Sequence, residues 1–203
     1  MPSIKEHYDR YAGIYEIVLN TPIVSNFINT RDKEVKKFLN DANGSLLDVG
    51  VGTGYYLKNY VHKFRKIVVL DISKKMLQAF KKRIGDNSKV HIKQGSINNF
   101  ESRLKFDAVL CIGVFNYFDK IKTIKRLNNL IKKNGSILIT FIDKENIFGI
   151  IYSLFWNLLG VKVYTITKKE VIDILRSSGF RLIKIKDKSN NSQTFHLIIK
   201  ASK

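Results

Sequence analysis

Asp48, Gly50, Gly52 and Gly54 occupy alternate positions of one short stretch, SLLDVGVGTG, and Asp71 closes the next apolar run, IVVLD. Alternating glycines where a strand gives way to a turn let the backbone approach a ligand closely, because they carry no side chain and tolerate left-handed angles. A helical pattern begins at Tyr55, so unpaired N–H groups of a first helical turn are expected to face the turn. Something anionic or polar should sit there. A carboxylate at the carboxyl end of the second strand, as at Asp71, offers two oxygens that can accept from the paired hydroxyls of a ribose.

These residues need a scaffold of strands and helices to hold them. Short apolar runs at 45–49, 67–71, 90–94, 106–112 and 136–142 suit strands buried on both faces. Between them, Leu57, Tyr60, Val61 and Phe64 recur at helical spacing, as do Met76, Leu77, Phe80 and Ile84, and then Ile121, Ile124, Leu127 and Ile131. Asn134-Gly135 marks the stop before the fifth strand. Thr167 and Glu170 read as a capping box that opens a helix with Val171, Ile174 and Leu175 inward, ended by Gly179. Two β-rich segments follow, 181–186 and 194–200, and the polar connection 187–193 suits a hairpin-like return with the last strand antiparallel. The rhythm predicts an α/β fold: a parallel sheet covered by helices.

The dinucleotide fingerprint G-x-G-x-x-G fails in either register, since its third glycine would fall on Tyr55 or Leu57. NAD is therefore disfavoured. The stretch instead resembles motif I of the class I S-adenosylmethionine (SAM) dependent methyltransferases, D/E-x-G-x-G-x-G, with Asp48, Gly50, Gly52 and Gly54 in place and Thr53 inside it. The run D-I-S-K-K-M-L is similar to a D-x-S-x-x-M-L signature of small-molecule methyltransferases, matched at Asp71, Ser73, Met76 and Leu77. The opening HYDRYAGIYE resembles the Y-D-x-x-A-x-x-Y-D start of the same enzymes at Tyr8, Asp9, Ala12 and Tyr15, with Glu16 in place of the last acid.

The resemblance implies a Rossmann-like, doubly wound sheet of seven strands, mostly parallel with an antiparallel last strand and helices on both faces. It implies one domain: cap helices over 1–40, a cofactor core over 45–142, a substrate or lid insertion over 143–166, and a closing helix and two strands over 167–203. SAM is the implied cofactor, with S-adenosylhomocysteine (SAH) as product. The glycine turn would cradle its methionine part, Asp71 its ribose and Ile72 its adenine, with Met76 a further cofactor-binding candidate or simply core. Ser96 and Ile97 stand where relatives bind the adenine amino group, but Ser96 replaces the usual acid and lacks charge assistance. Cys111, at the end of the fourth strand, is a candidate cofactor contact or simply a small buried side chain. Tyr8, Tyr11 and Tyr15 are candidates for the cofactor's carboxylate, or half-buried packing residues.

Composition bounds the rest. A formal net charge of +19 suggests a polyanionic partner such as RNA or an acidic membrane surface, although lysines spread over nearly every predicted helix also fit a solvated surface. The fourth strand ends in Ile112-Gly113-Val114-Phe115-Asn116 rather than the D/N-P-P-Y/F element of nucleic-acid base methyltransferases, so a nucleic-acid acceptor is disfavoured. One cysteine and no zinc-like Cys/His spacing point to a reducing, cytoplasmic setting without metal. The longest uncharged run, 146–161, is shorter than the ~20 residues that span a bilayer, leaving peripheral membrane contact open. Its Phe148, Tyr152, Phe155 and Trp156 suit a lid over an apolar substrate or a buried helix. Methyl transfer to a small, apolar or aromatic acceptor is the leading expectation. An RNA methyltransferase and a non-catalytic SAM-binding domain are the alternatives, and aminopropyl transfer ranks below them. His7, His62, His91 and His196 are available as bases and no spacing singles one out, so no catalytic residue is assigned. Asn116 and Tyr117 are expected to face the acceptor.

Overall fold

The computed structural model describes residues 3–186 and 196–203. Seven strands form one sheet: β1 (Gly44–Val49), β2 (Phe64–Asp71), β3 (Val90–Gln94), β4 (Phe106–Cys111), β5 (Ile131–Ile142), β6 (Leu182–Lys186) and β7 (His196–Ser202). Their order is β3-β2-β1-β4-β5-β7-β6, and only β7 runs antiparallel to its neighbours. The expected connection over 187–193 lies outside the described residues.

Successive side chains of a strand point to opposite faces, and each face here finds a different helical cover. Leu47, Val49, Val109 and Ile137 join Ile124 and Leu127 of α5 (Lys120–Leu130) and Val171 and Leu175 of α7 (Lys168–Ser177). Leu46, Ile67, Val69 and Leu110 join Val35, Phe38 and Leu39 of α3 (Pro22–Asp41) and Leu77 and Phe80 of α4 (Lys74–Ile84). The capping box forms as read: Glu170 N–H donates to Thr167 Oγ1 at 3.2 Å and Thr167 N–H to Glu170 Oε2 at 2.8 Å.

Three expectations need correction. No α-helix follows the glycine turn; residues 57–59 and 61–63 make two short 3-10 turns, and Phe64, expected in that helix, starts β2 opposite Gly44. Tyr, Val, His and Asn are mediocre helix formers, and a stretch this short gains little from helix propagation. Ile131 likewise leaves α5 for β5, where residues 132–135 interrupt the register between Ile131 and Ser136. The third strand, expected to be buried on both faces, lies at the sheet edge and is mostly exposed.

Two small helices, α1 (Ile4–Tyr11) and α2 (Tyr15–Leu19), precede α3. A further helix, α6 (Ile147–Leu158), follows β5 and is capped by Asn146, whose Oδ1 accepts from Phe148 N–H at 2.9 Å. Gly149 seats it: a Cβ there would lie 2.3 Å from the carbonyl oxygen of Asp143. An Ala in place of Gly inside a helix is ordinarily stabilising by roughly 0.5–1 kcal/mol. Gly149→Ala should instead destabilise the protein by about 1–3 kcal/mol, read from the urea midpoint, because the helix must lift off the strand end.

Candidate cofactor and active site

From β1 the chain winds outward in one direction to β2 and β3, then returns to continue on the other side with β4. A crevice opens at the carboxyl ends of β1 and β4, where the direction reverses. The glycine turn lies at this crevice. Gly50 and Val51 N–H both donate to Leu70 O, at 2.6 and 3.2 Å, and Gly54 N–H donates to Val51 O at 3.1 Å. Gly52 N–H donates to Asp71 Oδ2 at 2.9 Å, and Ser73 N–H to Asp71 Oδ1 at 2.9 Å. The turn is therefore braced by its own chain rather than by the start of a helix.

The three glycines have different reasons to be glycine, although all have positive φ. A Cβ on Gly50 would lie 2.4 Å from Val114 Cγ1, and one on Gly54 would lie 2.6 Å from Phe80 Cδ2. These two admit close protein packing. Around Gly52 the nearest atom is Tyr15 Cε1 at 4.0 Å, so this glycine faces open space.

Beyond the turn lies a cavity of about 290 Å³. Of the residues expected at a cofactor, Gly50, Gly52, Asp71, Ile72, Met76, Ser96 and Ile97 line it, with Tyr8 and Tyr15 from the N-terminal segment. Asp48 and Thr53 line a smaller side pocket behind the turn, together with Tyr15. Gly54 lines neither, and Cys111 is fully buried in the core rather than on a cavity wall. Burial, then Asp48, push the Cys111 thiol up. Asn116, expected to face an acceptor, is buried and spent on structure: its Oδ1 accepts from Ile142 N–H at 3.0 Å. Tyr117 does line the cavity.

Two features escaped the sequence reading. Arg31 is 8% exposed and lines the side pocket, donating through Nε to Tyr56 Oη at 2.9 Å, while Tyr56 donates to Asp32 Oδ1 at 2.6 Å. Its Nη1 lies 3.9 Å from where a Cβ on Gly113 would sit, so the guanidinium reaches toward the end of β4. The signal was present: Arg31 precedes Val35, Phe38 and Leu39 at helical spacing, on the buried stripe of α3. The second is a tyrosine cluster. Tyr8 donates to Tyr117 Oη at 3.1 Å, and Tyr152 is hydrogen-bonded to the same residue. Burial, then the neighbouring tyrosines, hold the Tyr8 hydroxyl well above its usual range.

The N-terminal segment is fastened across the cavity. Asp9 Oδ1 accepts from Ser73 Oγ at 2.6 Å and from Lys75 N–H at 3.2 Å, tying α1 to the start of α4. Glu16 pairs with Arg83; against the desolvation that pushes it up, Thr53 and Arg83 bring its carboxyl below the usual range.

Sheet order, reversed final strand and glycine turn together define a Rossmann-like fold of the methyltransferase type. The family described as a methyltransferase domain matches residues 47–139, from β1 into β5. Malonyl-[acyl-carrier protein] O-methyltransferase of Halalkalibacterium halodurans is 23% identical over 155 residues, 72% of this chain and 57% of that protein. The chain thus spans little more than half that relative's length. Ubiquinone biosynthesis O-methyltransferase of Pelagibacter ubique is 28% identical over 174 residues, 80% of this chain and 70% of that one. The fold matches that of the SAH-bound magnesium protoporphyrin IX methyltransferase of Synechocystis with a TM-score of 0.73 at 13% identity, covering 98% of each chain. Over residues 47–139 the chain matches the methyltransferase-domain family, and along most of its length it is similar to class I SAM-dependent methyltransferases.

The residues present fit SAM, the cofactor of that family. Burial, then Asp71, push the Asp48 carboxyl up to about 8, a cost that a cationic ligand beside it would relieve. Asp71 accepts from backbone amides through both oxygens, and it lines the cavity, where a carboxylate can accept further bonds from ribose hydroxyls. Ile72, Met76 and Ile97 supply an apolar slot beside it.

Asp48 also gives the site a pH signature. An unfolded Asp titrates near 3.9. Between there and about 8 the folded chain keeps a proton that the unfolded chain has lost, so this group lowers stability as pH rises through that window. Asp48→Asn removes the effect. Its melting temperature should rise relative to that of the parent between pH 5 and pH 8, and the gap should level off above that. A gap that does not change with pH would mean that Asp48 is ionised in the folded protein.

Proposed function

We propose that this protein transfers a methyl group from SAM to a small, partly apolar acceptor bound against Tyr8 and Tyr117. The observation that carries the reading is one continuous cavity. Its walls include Asp71, Gly52 and the apolar Ile72, Met76 and Ile97 together with Ile4, Tyr8, Tyr117 and Phe118. Bound SAM supplies a methyl group already activated on a positive sulfur.

The chain's own residues then have to bind, orient and exclude water. Asp71 would hold the ribose hydroxyls, and Ile72, Met76 and Ile97 the adenine, with Ser96 as a weaker polar contact at its edge. Arg31 and Asp48, close to the turn from opposite signs of charge, would receive the carboxylate and the cationic parts of the methionine moiety. Thr53 and Tyr15 complete that end. The small-molecule reading is supported by the malonyl and ubiquinone-pathway relatives, whose names specify such acceptors or carriers. A single cysteine, buried and unpaired, supports a reducing, cytoplasmic setting.

At the acceptor end the described residues offer hydroxyls rather than a charged base. His7 packs edge-on against Trp156 at 4.7 Å, and burial, then Arg10, lower its pKa. Tyr117 accepts from Tyr8, and the hydrogen bond from Tyr152 leaves its own O–H to point at the acceptor. Its role is to orient the acceptor, and alignment accounts for most of what a transfer from a good leaving group requires.

Calorimetric titration with SAM and SAH tests the cofactor half of this reading. Micromolar binding is expected, weakened about 100-fold or more in Asp71→Ala, because two hydrogen bonds to a charged group contribute about 1.5–3 kcal/mol each. No binding by the unaltered protein would refute it. For the acceptor half, Tyr117→Phe should leave SAM affinity unchanged while lowering kcat/KM about tenfold, the effect of one lost hydrogen bond.

A further inference from the structure

Helix α6 wears its apolar residues on the outside. Residues 147, 151, 154 and 158 repeat at helical spacing along one face, and all are Ile or Leu. Ile147 is 61% exposed, Leu154 58% and Leu158 86%. Ile151 is exposed with them, Phe148, Ile150 and Phe155 widen the stripe, and Leu159 extends it past the helix end. The opposite face, with Gly149 and Ser153, is the buried one, and Tyr152 and Trp156 pack there on Ile142, Val161 and Val163. A helix that seats its small residues inward and shows its large ones to solvent is built for a second apolar phase.

We infer that α6 is an interfacial helix that docks this protein on an anionic lipid bilayer, with its outer face sunk among the acyl chains. Its length, about 18 Å at 1.5 Å per residue, is too short to cross a bilayer but suits lying in the interface plane. No described helix is long and apolar enough to span a membrane. The run 146–161 contains no charged residue; exposed Lys144 and Glu145 precede it and exposed Lys162 follows it, so phosphate headgroups would meet a lysine at either end beside one acid. Charge chooses between a membrane and a second copy of this chain. A formal +19 on each molecule opposes pairing two copies face to face, and the same charge draws the protein to an acidic surface. This inference is independent of the acceptor's identity.

The test is co-sedimentation of the full chain with vesicles of phosphatidylcholine alone or mixed with phosphatidylglycerol, alongside SAH titration as a check on folding. Binding is expected only to the acidic vesicles. It should weaken about tenfold or more in the double variant Leu154→Ser/Leu158→Ser, each side chain forfeiting the burial of an exposed leucine, with SAH affinity unchanged. Three results would overturn the inference. They are no binding to acidic vesicles at low salt, equal binding by the double variant, and a dimer in sedimentation that the double variant converts to monomer.

Discussion

Two backbone amides from different turns converge on one side chain: Gly52 from the loop after β1 and Ser73 from the loop after β2 both donate to Asp71. Neighbouring parallel strands bring their carboxyl ends side by side, but they do not fix the loops that leave those ends. A carboxylate with two oxygens does so here, and everything around the cavity is placed relative to it. Ser73, held by its amide, caps α4 by accepting from Met76 N–H at 3.0 Å and donates its own O–H to Asp9. The segment that closes the cavity is thus linked to its floor through a chain of polar contacts that starts at Asp71.

The same region shows how a site is held at the expense of stability. Asp48 is buried with its carboxyl raised, and Arg31 is buried nearby on another element. Apolar residues at both positions would make a more comfortable core. Arg31 has Asp32 at 3.8 Å, whereas Asp48, beside a positive-φ glycine that faces open space, is a carboxyl that a cationic ligand would complete.

Much of this was legible in the residue order, because the cues concerned were local. The five central strands could be read from apolar runs, and the glycine turn and Asp71 from residue type and position. The cap of α7 could be read from Thr167 and Glu170. What failed depended on tertiary pairing. Leu57 and Val61 are buried, as their spacing implied, yet spacing alone does not separate a helical turn from successive 3-10 turns when the next strand must start at Phe64 to pair with β1. Asn116 follows the fourth strand as a substrate contact would, but only the packed sheet reveals that Ile142 needs its side-chain oxygen. Arg31 was hidden among many surface cations, and its place on an apolar stripe distinguishes it only once that stripe is known to be inward.

The two outer strands of the sheet, β3 and β6, put part of the surplus positive charge in a different light. Each is an edge with a row of backbone groups free on one side, a template on which another strand can add. Lys93 lies in β3, and Lys184 and Lys186 alternate along β6. Any copy of this chain that tried to extend the sheet at β6 would set lysine against lysine. In so positively charged a molecule, these residues guard the sheet against growing into an aggregate.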